Sequence, residues 1–197
     1  MLSNTQIEVL ASFFPELKEK TSKQIEIATG LSHEPTFRIL KSLVKNKYLK
    51  KKKVGKTNVY ELIFTDETYL VYTYFMTKKI SQFKQKSSLL YKRLKEFINS
   101  IKANSVVLFG SYAKGTETKV SDIDILVVSN EKNIEKIAST FKTKYNISIK
   151  PVIVKAEDFK NIKKDNPTFY NDLIKFGIVL DGLEFFFKEV YKNAKII

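Results

Sequence analysis

Two short apolar runs that flank a polar segment constrain the fold of this chain more than any other feature. The runs occupy residues 106–109 and 125–128. About four apolar residues of this kind, often β-branched and bounded by turn signals, are typical of a buried strand. The segment therefore predicts two strands joined by a polar connection that contains two glycines.

Asp122 and Asp124 stand two positions apart where the second strand begins. Side chains alternate between the faces of a strand, so this spacing puts both carboxylates on one face, about 7 Å apart along the chain. Two carboxylates this close repel each other unless a cation lies between them. Mg²⁺ usually takes one or two carboxylates and leaves its other positions to water and phosphate oxygens. The pair therefore predicts a Mg²⁺ site.

Gly110 and Ser111 follow the first strand and provide what a phosphate-binding segment beside this metal site would need. A glycine lets the backbone approach a ligand closely, and a helix that starts at Ser111 would aim free N–H groups at phosphate.

The two glycines Gly110 and Gly115 are also spaced like the first two glycines of a P-loop. A P-loop must continue with Lys and Ser or Thr. Here Thr116 and Glu117 follow, so the phosphate-binding lysine of a P-loop is absent.

Gly-Ser, ten residues and Asp-x-Asp resemble the signature of the DNA polymerase β superfamily of nucleotidyltransferases, in its minimal prokaryotic form. The matching residues are Gly110, Ser111, Ser121, Asp122 and Asp124. The resemblance implies a nucleoside triphosphate held by Gly110, Ser111 and Ser121. It also implies catalytic Asp122 and Asp124 that hold Mg²⁺, and nucleotidyl transfer with release of pyrophosphate. A bare Asp-x-Asp would suit a solvated strand start, but the Gly-Ser at this distance favours the nucleotidyltransferase.

The chain departs from the superfamily at a third acidic residue, which fully equipped members carry on a later strand. The strand predicted at that place, residues 146–154, presents Ser148 and Lys150 on its polar face. Glu157 and Asp158 follow the strand, but spacing alone does not assign them the role. A positioned acid–base group typically contributes about 10²–10⁴-fold, so its loss need not abolish transfer.

The first 64 residues predict three short helices followed by a hairpin with five lysines. The helices are expected over residues 3–14, after Thr21 or Ser22, and after Ser32, and the hairpin strands over residues 48–54 and 58–64. This order resembles a winged helix-turn-helix of the MarR/ArsR-like type, which lays its third helix in the major groove.

The resemblance implies DNA contacts from the third helix and from the wing hairpin. Phe37, Leu40 and Val44 are expected to line the buried face of that helix. Thr36 and Arg38 are predicted to reach base edges, and the wing lysines to neutralise phosphates. The predicted DNA-binding residues are Thr36, Arg38, Lys41, Lys51, Lys52, Lys53 and Lys56. A winged helix used only for protein contacts is the alternative.

From residue 67 to about 103 no proline or glycine interrupts the chain. Apolar side chains recur there in steps of three and four, which predicts a heptad-like seam on a long helix. We favour pairing of this seam with its twin in a homodimer; packing on the neighbouring domain is the alternative. The seam residues are Met76, Ile80, Phe83, Leu90, Leu94, Phe97 and Ile101.

The net charge is +14, and most of the positive excess precedes residue 104. Such an excess is an electrostatic footprint for nucleic acid, although lysine-rich usage across a genome is the alternative. No apolar run approaches the eighteen or so residues of a membrane span, and no signal peptide is evident at the N-terminus. A cytoplasmic protein is therefore the default expectation.

The predicted fold class is α/β (α+β), with three parts. They are a winged helix-turn-helix (1–64), a linker or dimerisation helix (65–103) and a nucleotidyltransferase domain with a mixed sheet (104–197). The first functional hypothesis is Mg²⁺-dependent transfer of AMP from ATP to a protein or nucleic-acid hydroxyl. Similar minimal domains serve as antitoxins that modify a partner toxin, which makes a protein acceptor reasonable. The second is a DNA-binding transcriptional regulator whose degenerate nucleotidyltransferase domain only senses nucleotide.

Overall fold

Two sheets of different size organise the chain. The computed structural model describes residues 2–195, with side chains for residues 2–190. The chain forms two compact units, Met1–Phe75 and Met76–Ile197. The first contains a three-stranded sheet and the second a four-stranded sheet. Among the residues described, we find no helix of the length and hydropathy that a bilayer crossing requires.

The first unit places three helices ahead of an antiparallel hairpin, in the predicted order. Its elements are α1 (Asn4–Ala11), β1 (Lys20–Thr21), α2 (Ser22–Thr29), α3 (His33–Lys45), β2 (Leu49–Val54), β3 (Thr57–Leu62) and the start of α4 (Asp66–Lys86). The strand order is β1-β3-β2, with both pairings antiparallel. Gly55 has φ +58°, as a two-residue hairpin loop requires.

The buried face of α3 differs from the predicted one. The buried residues are Thr36, Leu40 and Leu43, whereas Phe37 is 49% exposed. Thr36 can lie inside because its hydroxyl donates to the carbonyl of Ser32 at 2.9 Å, which satisfies the polar atom locally. The prediction is confirmed for Leu40 and wrong for Phe37. Thr36 was missed because threonine counts as polar in a sequence pattern.

The second unit is a mixed sheet covered by helices. Its further elements are α5 (Ser88–Asn99), β4 (Ser105–Leu108), α6 (Gly110–Lys114), β5 (Ile123–Val128), α7 (Ile134–Tyr145), β6 (Ile149–Val154), α8 (Ala156–Phe159), α9 (Ile162–Asp165), α10 (Pro167–Phe176), β7 (Ile178–Asp181) and α11 (Leu183–Lys195). The strand order is β6-β5-β4-β7. β4 is antiparallel to both of its neighbours, and β5 is parallel to β6. The predicted mixed sheet is thus confirmed.

One face of this sheet packs beneath α5 and α7. Ile123 and Ile125 point to that face and belong to one apolar cluster with Phe97 and Phe141. The two phenylalanine rings meet edge to face with centroids 5.6 Å apart, a favourable aromatic geometry. Because strand residues alternate, Asp124 lies on the opposite face of the sheet.

The long helix predicted after residue 67 is two helices, α4 and α5, separated at Ser87. The seam residues Phe83, Leu94 and Phe97 are buried in the apolar cluster of the second unit. The chain thus uses part of this seam for its own core, which was the alternative expectation. Pairing of the seam with a second copy stays a prediction. The two compact units divide inside α4.

Candidate active site

Gly110 and Asp124 are in direct contact at the start of α6. Gly110 has φ +68°, and a Cβ atom placed on it would lie 2.1 Å from Oδ2 of Asp124. The backbone N–H of Phe109 donates to the carbonyl of Asp124 at 3.0 Å, which ties the end of β4 to β5. Only glycine allows both this φ and this close approach. The structure therefore joins two of the residues that the sequence motif singled out.

Asp122 and Asp124 flank the buried Ile123 at the beginning of β5. Asp122 is exposed and Asp124 is half-buried. Burial, followed by repulsion from Asp122, raises the pKa of Asp124 above that of an ordinary aspartate. A cation between the carboxylates would relieve both effects, so this pair of oxygen ligands fits Mg²⁺.

Where the superfamily carries a third acidic residue, this chain has Ser148 and Lys150 on or beside β6. Asp124 on β5 is the register partner of Lys150 on β6. Ser148 precedes β6, and its carbonyl accepts a hydrogen bond from the N–H of Ile123 at 2.9 Å. Among residues 2–190, no three acidic, histidine or cysteine side chains are grouped to hold a metal ion. For a metal ion, the described residues thus offer the two carboxylates of Asp122 and Asp124.

Ser121 shapes the loop that leads to the Asp pair. Its hydroxyl accepts from the N–H of Thr118 at 2.9 Å, and its own N–H donates to the Thr118 carbonyl at 3.1 Å. The two hydroxyl oxygens are 3.1 Å apart. In the structure Ser121 thus closes a turn, a role that the sequence analysis did not include.

A groove of about 190 Å³ beside α6 was not found from the sequence. Its lining includes Lys79, Lys86 and Lys114. Lys86 pairs with Glu117 at 2.6 Å, and Lys114 pairs with Asp172 at 2.6 Å. Residues so far apart in the chain carry no common pattern, so only the fold reveals that they meet.

Lys79 is the most deeply buried of these lysines. Its ammonium donates to the carbonyls of Phe176 at 3.0 Å and Gly177 at 2.7 Å, where α10 ends. Burial lowers the pKa of Lys79 to about 8. These contacts give the groove lysine a structural role at the end of a helix.

The wing lysines of the first unit are not equivalent. Lys51 and Lys53 are exposed on the hairpin. Lys52 instead pairs with Glu19 at 2.7 Å and with Glu61 at 2.6 Å. Hydrogen bonds to these carboxylates hold the pKa of Lys52 above its ordinary value. Because its charge is already compensated within the fold, we no longer expect Lys52 to neutralise a phosphate of DNA.

On α3, Arg38 and Lys41 are exposed, as a DNA-contacting role requires. Arg38 forms an exposed ion pair with Glu34 at 3.1 Å, a kind of contact that is weak and readily exchanged. The prediction that Thr36 reaches a base edge is wrong, because its side chain is fully buried.

Comparison with known proteins places the motif in a family. Residues 91–180 match the family described as "Nucleotidyltransferase domain". A Methanocaldococcus jannaschii protein named "Putative protein adenylyltransferase" is 36% identical over 97 residues, which cover 45% of this chain and 95% of that protein. A second protein of that name and organism is 35% identical over 99 residues, or 45% and 93% of the two chains.

Among solved structures, Sso10a-2, a DNA-binding protein from Sulfolobus solfataricus, aligns with a TM-score of 0.30 and 17% identity. The alignment covers 52% of this chain and 99% of that chain. A likeness this weak carries no argument about fold or function.

The family match spans Gly110 to Asp124, and the two archaeal relatives align over nearly their whole lengths. The chain therefore belongs to the nucleotidyltransferase family.

Proposed function

We propose that this chain transfers AMP from ATP to a hydroxyl group of a protein or nucleic acid in a Mg²⁺-dependent reaction. The observation that carries the proposal is the contact between Gly110 and the carboxylate of Asp124. It supports the proposal because a backbone that a phosphate chain can approach lies directly beside the pair that would hold the metal ion. The name of the relatives, protein adenylyltransferase, supports ATP as donor and a protein as acceptor.

Each residue of the motif has a role in this proposal. Asp122 and Asp124 hold the divalent ion, which supplies positive charge to the triphosphate. Gly110 and Ser111 bind phosphate oxygens at the start of α6. Ser121 fixes the turn from which Asp122 projects. The residues thus bind and orient the nucleotide, which is the main demand of phosphoryl-group chemistry.

The proposed reaction has a simple balance. The acceptor hydroxyl oxygen forms a bond to the α-phosphorus of ATP, and the bond from that phosphorus to the α–β bridging oxygen breaks. Pyrophosphate leaves with the electron pair, and the hydroxyl proton passes to solvent.

Label transfer tests the proposal directly. The full chain is incubated with Mg²⁺ and each of the four α-³²P-labelled ribonucleoside triphosphates, together with a lysate of its own cells. We expect label from ATP to move to a macromolecule and pyrophosphate to be released. Binding of Mg-ATP without transfer to any lysate component would instead support the nucleotide-sensing regulator.

A second function, DNA binding by the first unit, is proposed from its charge distribution. Arg38 and Lys41 on α3 and Lys51, Lys53 and Lys56 on the hairpin are exposed. Three helices followed by a basic hairpin suit a winged helix-turn-helix over residues 1–64, with α3 in the major groove. Transfer and DNA binding would combine in an antitoxin that modifies a partner toxin and represses its own promoter.

Replacing Lys51, Lys53 and Lys56 together by alanine should reduce the salt dependence of DNA binding. Each neutralised phosphate contributes about 0.9 to the slope of log K against log salt, so the slope should fall by about 2 to 3. Fluorescence anisotropy of a labelled duplex across a KCl series measures this slope.

Lys52→Ala is the matched control for the hairpin variant. Lys52 lies between the same neighbours but is paired with Glu19 and Glu61. We expect its slope to equal that of the wild type. Equal slopes for the triple variant and the wild type would rule out the phosphate role of the wing.

A further inference from the structure

Lys150 shares a sheet face with the metal-binding pair. β5 and β6 are parallel, and Asp124 and Lys150 are partners in their register. The preceding partners, Ile123 and Ile149, are both buried on the other face. Partners on neighbouring strands point to the same side and lie about 4.8 Å apart. The side chain of Lys150 therefore emerges beside the carboxylate of Asp124.

The ammonium of Lys150 has no acidic partner within the described structure. Lys150 is exposed, and the ion pairs found among residues 2–190 do not include it. Asp124 is close in the sheet, yet the two side chains form no ion pair. A positive charge beside two carboxylates is thus left available for an anion that enters the site.

A lysine in this place changes what the site can bind. Two carboxylates suffice for one divalent ion, while a nearby ammonium repels a second one. A nucleoside triphosphate carries several negative charges, and lysine binds phosphate as a flexible point charge. The local charge therefore suits one metal ion and one polyphosphate together.

We propose that Lys150 binds a phosphate oxygen of the nucleotide and takes the place of a second metal ion, so that the site works with a single divalent cation. This inference rests on the proposed nucleotidyl transfer and assigns a substrate-binding residue to it. The alternative is a solvated lysine on an edge strand, where lysines also discourage pairing with other sheets.

Nucleotide binding without metal provides the first test. ATP affinity is measured by calorimetry in EDTA for the wild type, Lys150→Ala and Lys136→Ala. Lys136 is an exposed lysine on α7, which covers the other sheet face. A charged hydrogen bond corresponds to about tenfold or more in affinity. We expect Lys150→Ala to lose at least about tenfold and Lys136→Ala to match the wild type.

Metal binding without nucleotide provides the second test. Lys150→Glu adds a third carboxylate where the lysine stood, and Lys136→Glu makes the same charge change elsewhere. Mn²⁺ titration followed by electron paramagnetic resonance should show one ion per wild-type chain. Lys150→Glu should bind Mn²⁺ about tenfold more tightly, since a third carboxylate enters the site. Lys136→Glu should bind it like the wild type.

The outcomes separate this inference from the proposed function. If the wild type binds ATP in EDTA and binds Mn²⁺ through the Asp pair, but Lys150→Ala and Lys150→Glu behave like their Lys136 controls, the role of Lys150 is refuted alone. Two Mn²⁺ ions per wild-type chain would refute the single-metal site. If Asp122→Asn/Asp124→Asn binds Mn²⁺ as tightly as the wild type, the proposed function itself fails.

Discussion

Asp124→Asn is expected to lower nucleotide transfer by at least about 100-fold while the protein stays folded. A metal ligand supplies several kcal/mol of charge stabilisation, and each 1.36 kcal/mol corresponds to tenfold in rate. The amide keeps the shape of the carboxylate against Gly110 but removes its negative charge. Initial rates of label transfer with saturating Mg-ATP measure the effect.

The same substitution should leave stability unchanged or raise it. Burial and Asp122 raise the pKa of Asp124 in the folded chain, so its ionised form is less favourable there than in the unfolded chain. This penalty is absent below the unfolded pKa and complete once the pH exceeds the raised folded value. Asparagine never ionises and therefore avoids the penalty at neutral pH, which thermal unfolding at pH 7 and pH 3 can show.

Asp158→Asn is the control for this prediction. Asp158 is an exposed aspartate on α8 of the same unit, and its loss should change the transfer rate by less than about twofold. Transfer by Asp124→Asn at the wild-type rate would contradict the metal-binding role of the pair.

Gly110→Ala should abolish transfer nearly as completely, for a steric reason. The new Cβ atom would lie 2.1 Å from Oδ2 of Asp124, far inside van der Waals contact, so the carboxylate must move. The positive φ adds about 1–2 kcal/mol of backbone strain for an L-residue. We expect a lower melting temperature together with a loss of transfer of about 100-fold, since the displaced carboxylate can no longer hold the metal ion.

Gly115→Ala separates the effect of backbone strain from the effect of the steric clash with Asp124. Gly115 ends α6 with φ +73°, and the nearest atom to its Cβ position is Nζ of Lys86 at 3.8 Å, an ordinary contact. This variant should therefore lose similar backbone stability while it retains most of its transfer activity. Equal transfer rates for the two glycine variants would show that the contact with Asp124 is unimportant.

The motif could be predicted from the sequence because its information is local. Two apolar runs, a glycine with a serine, and an alternating acid pair each follow rules that act over a few residues. These rules predict the two strands and a helix from Ser111. The structure confirms the strands and begins the helix one residue earlier, at Gly110. The contact between Gly110 and Asp124 follows from that strand pairing.

Features that depend on the partner of a side chain could not be predicted. Lys51 and Lys52 are identical in sequence, yet only Lys52 meets Glu19 and Glu61. The seam on α4 and α5 is apolar whether it meets a second copy or its own core. Asp124 and Lys150 are neighbours because of the register between β5 and β6. These strands are parallel, so no tight turn joins them and sets that register from the local sequence.

At the start of β5, residues that determine stability alternate with residues proposed to bind ligands, over four consecutive positions. Ile123 and Ile125 belong to the apolar core, whereas Asp122 and Asp124 alternate with them on the opposite side. Conservative changes at the isoleucines can therefore change the stability of the domain, and with it the amount of protein in the cell, without changing the residues proposed to bind metal and nucleotide. Changes at the aspartates can alter or end the proposed chemistry while the fold is kept. A lineage can thus turn an enzyme of this kind into a binding protein by a single exchange, with no loss of fold.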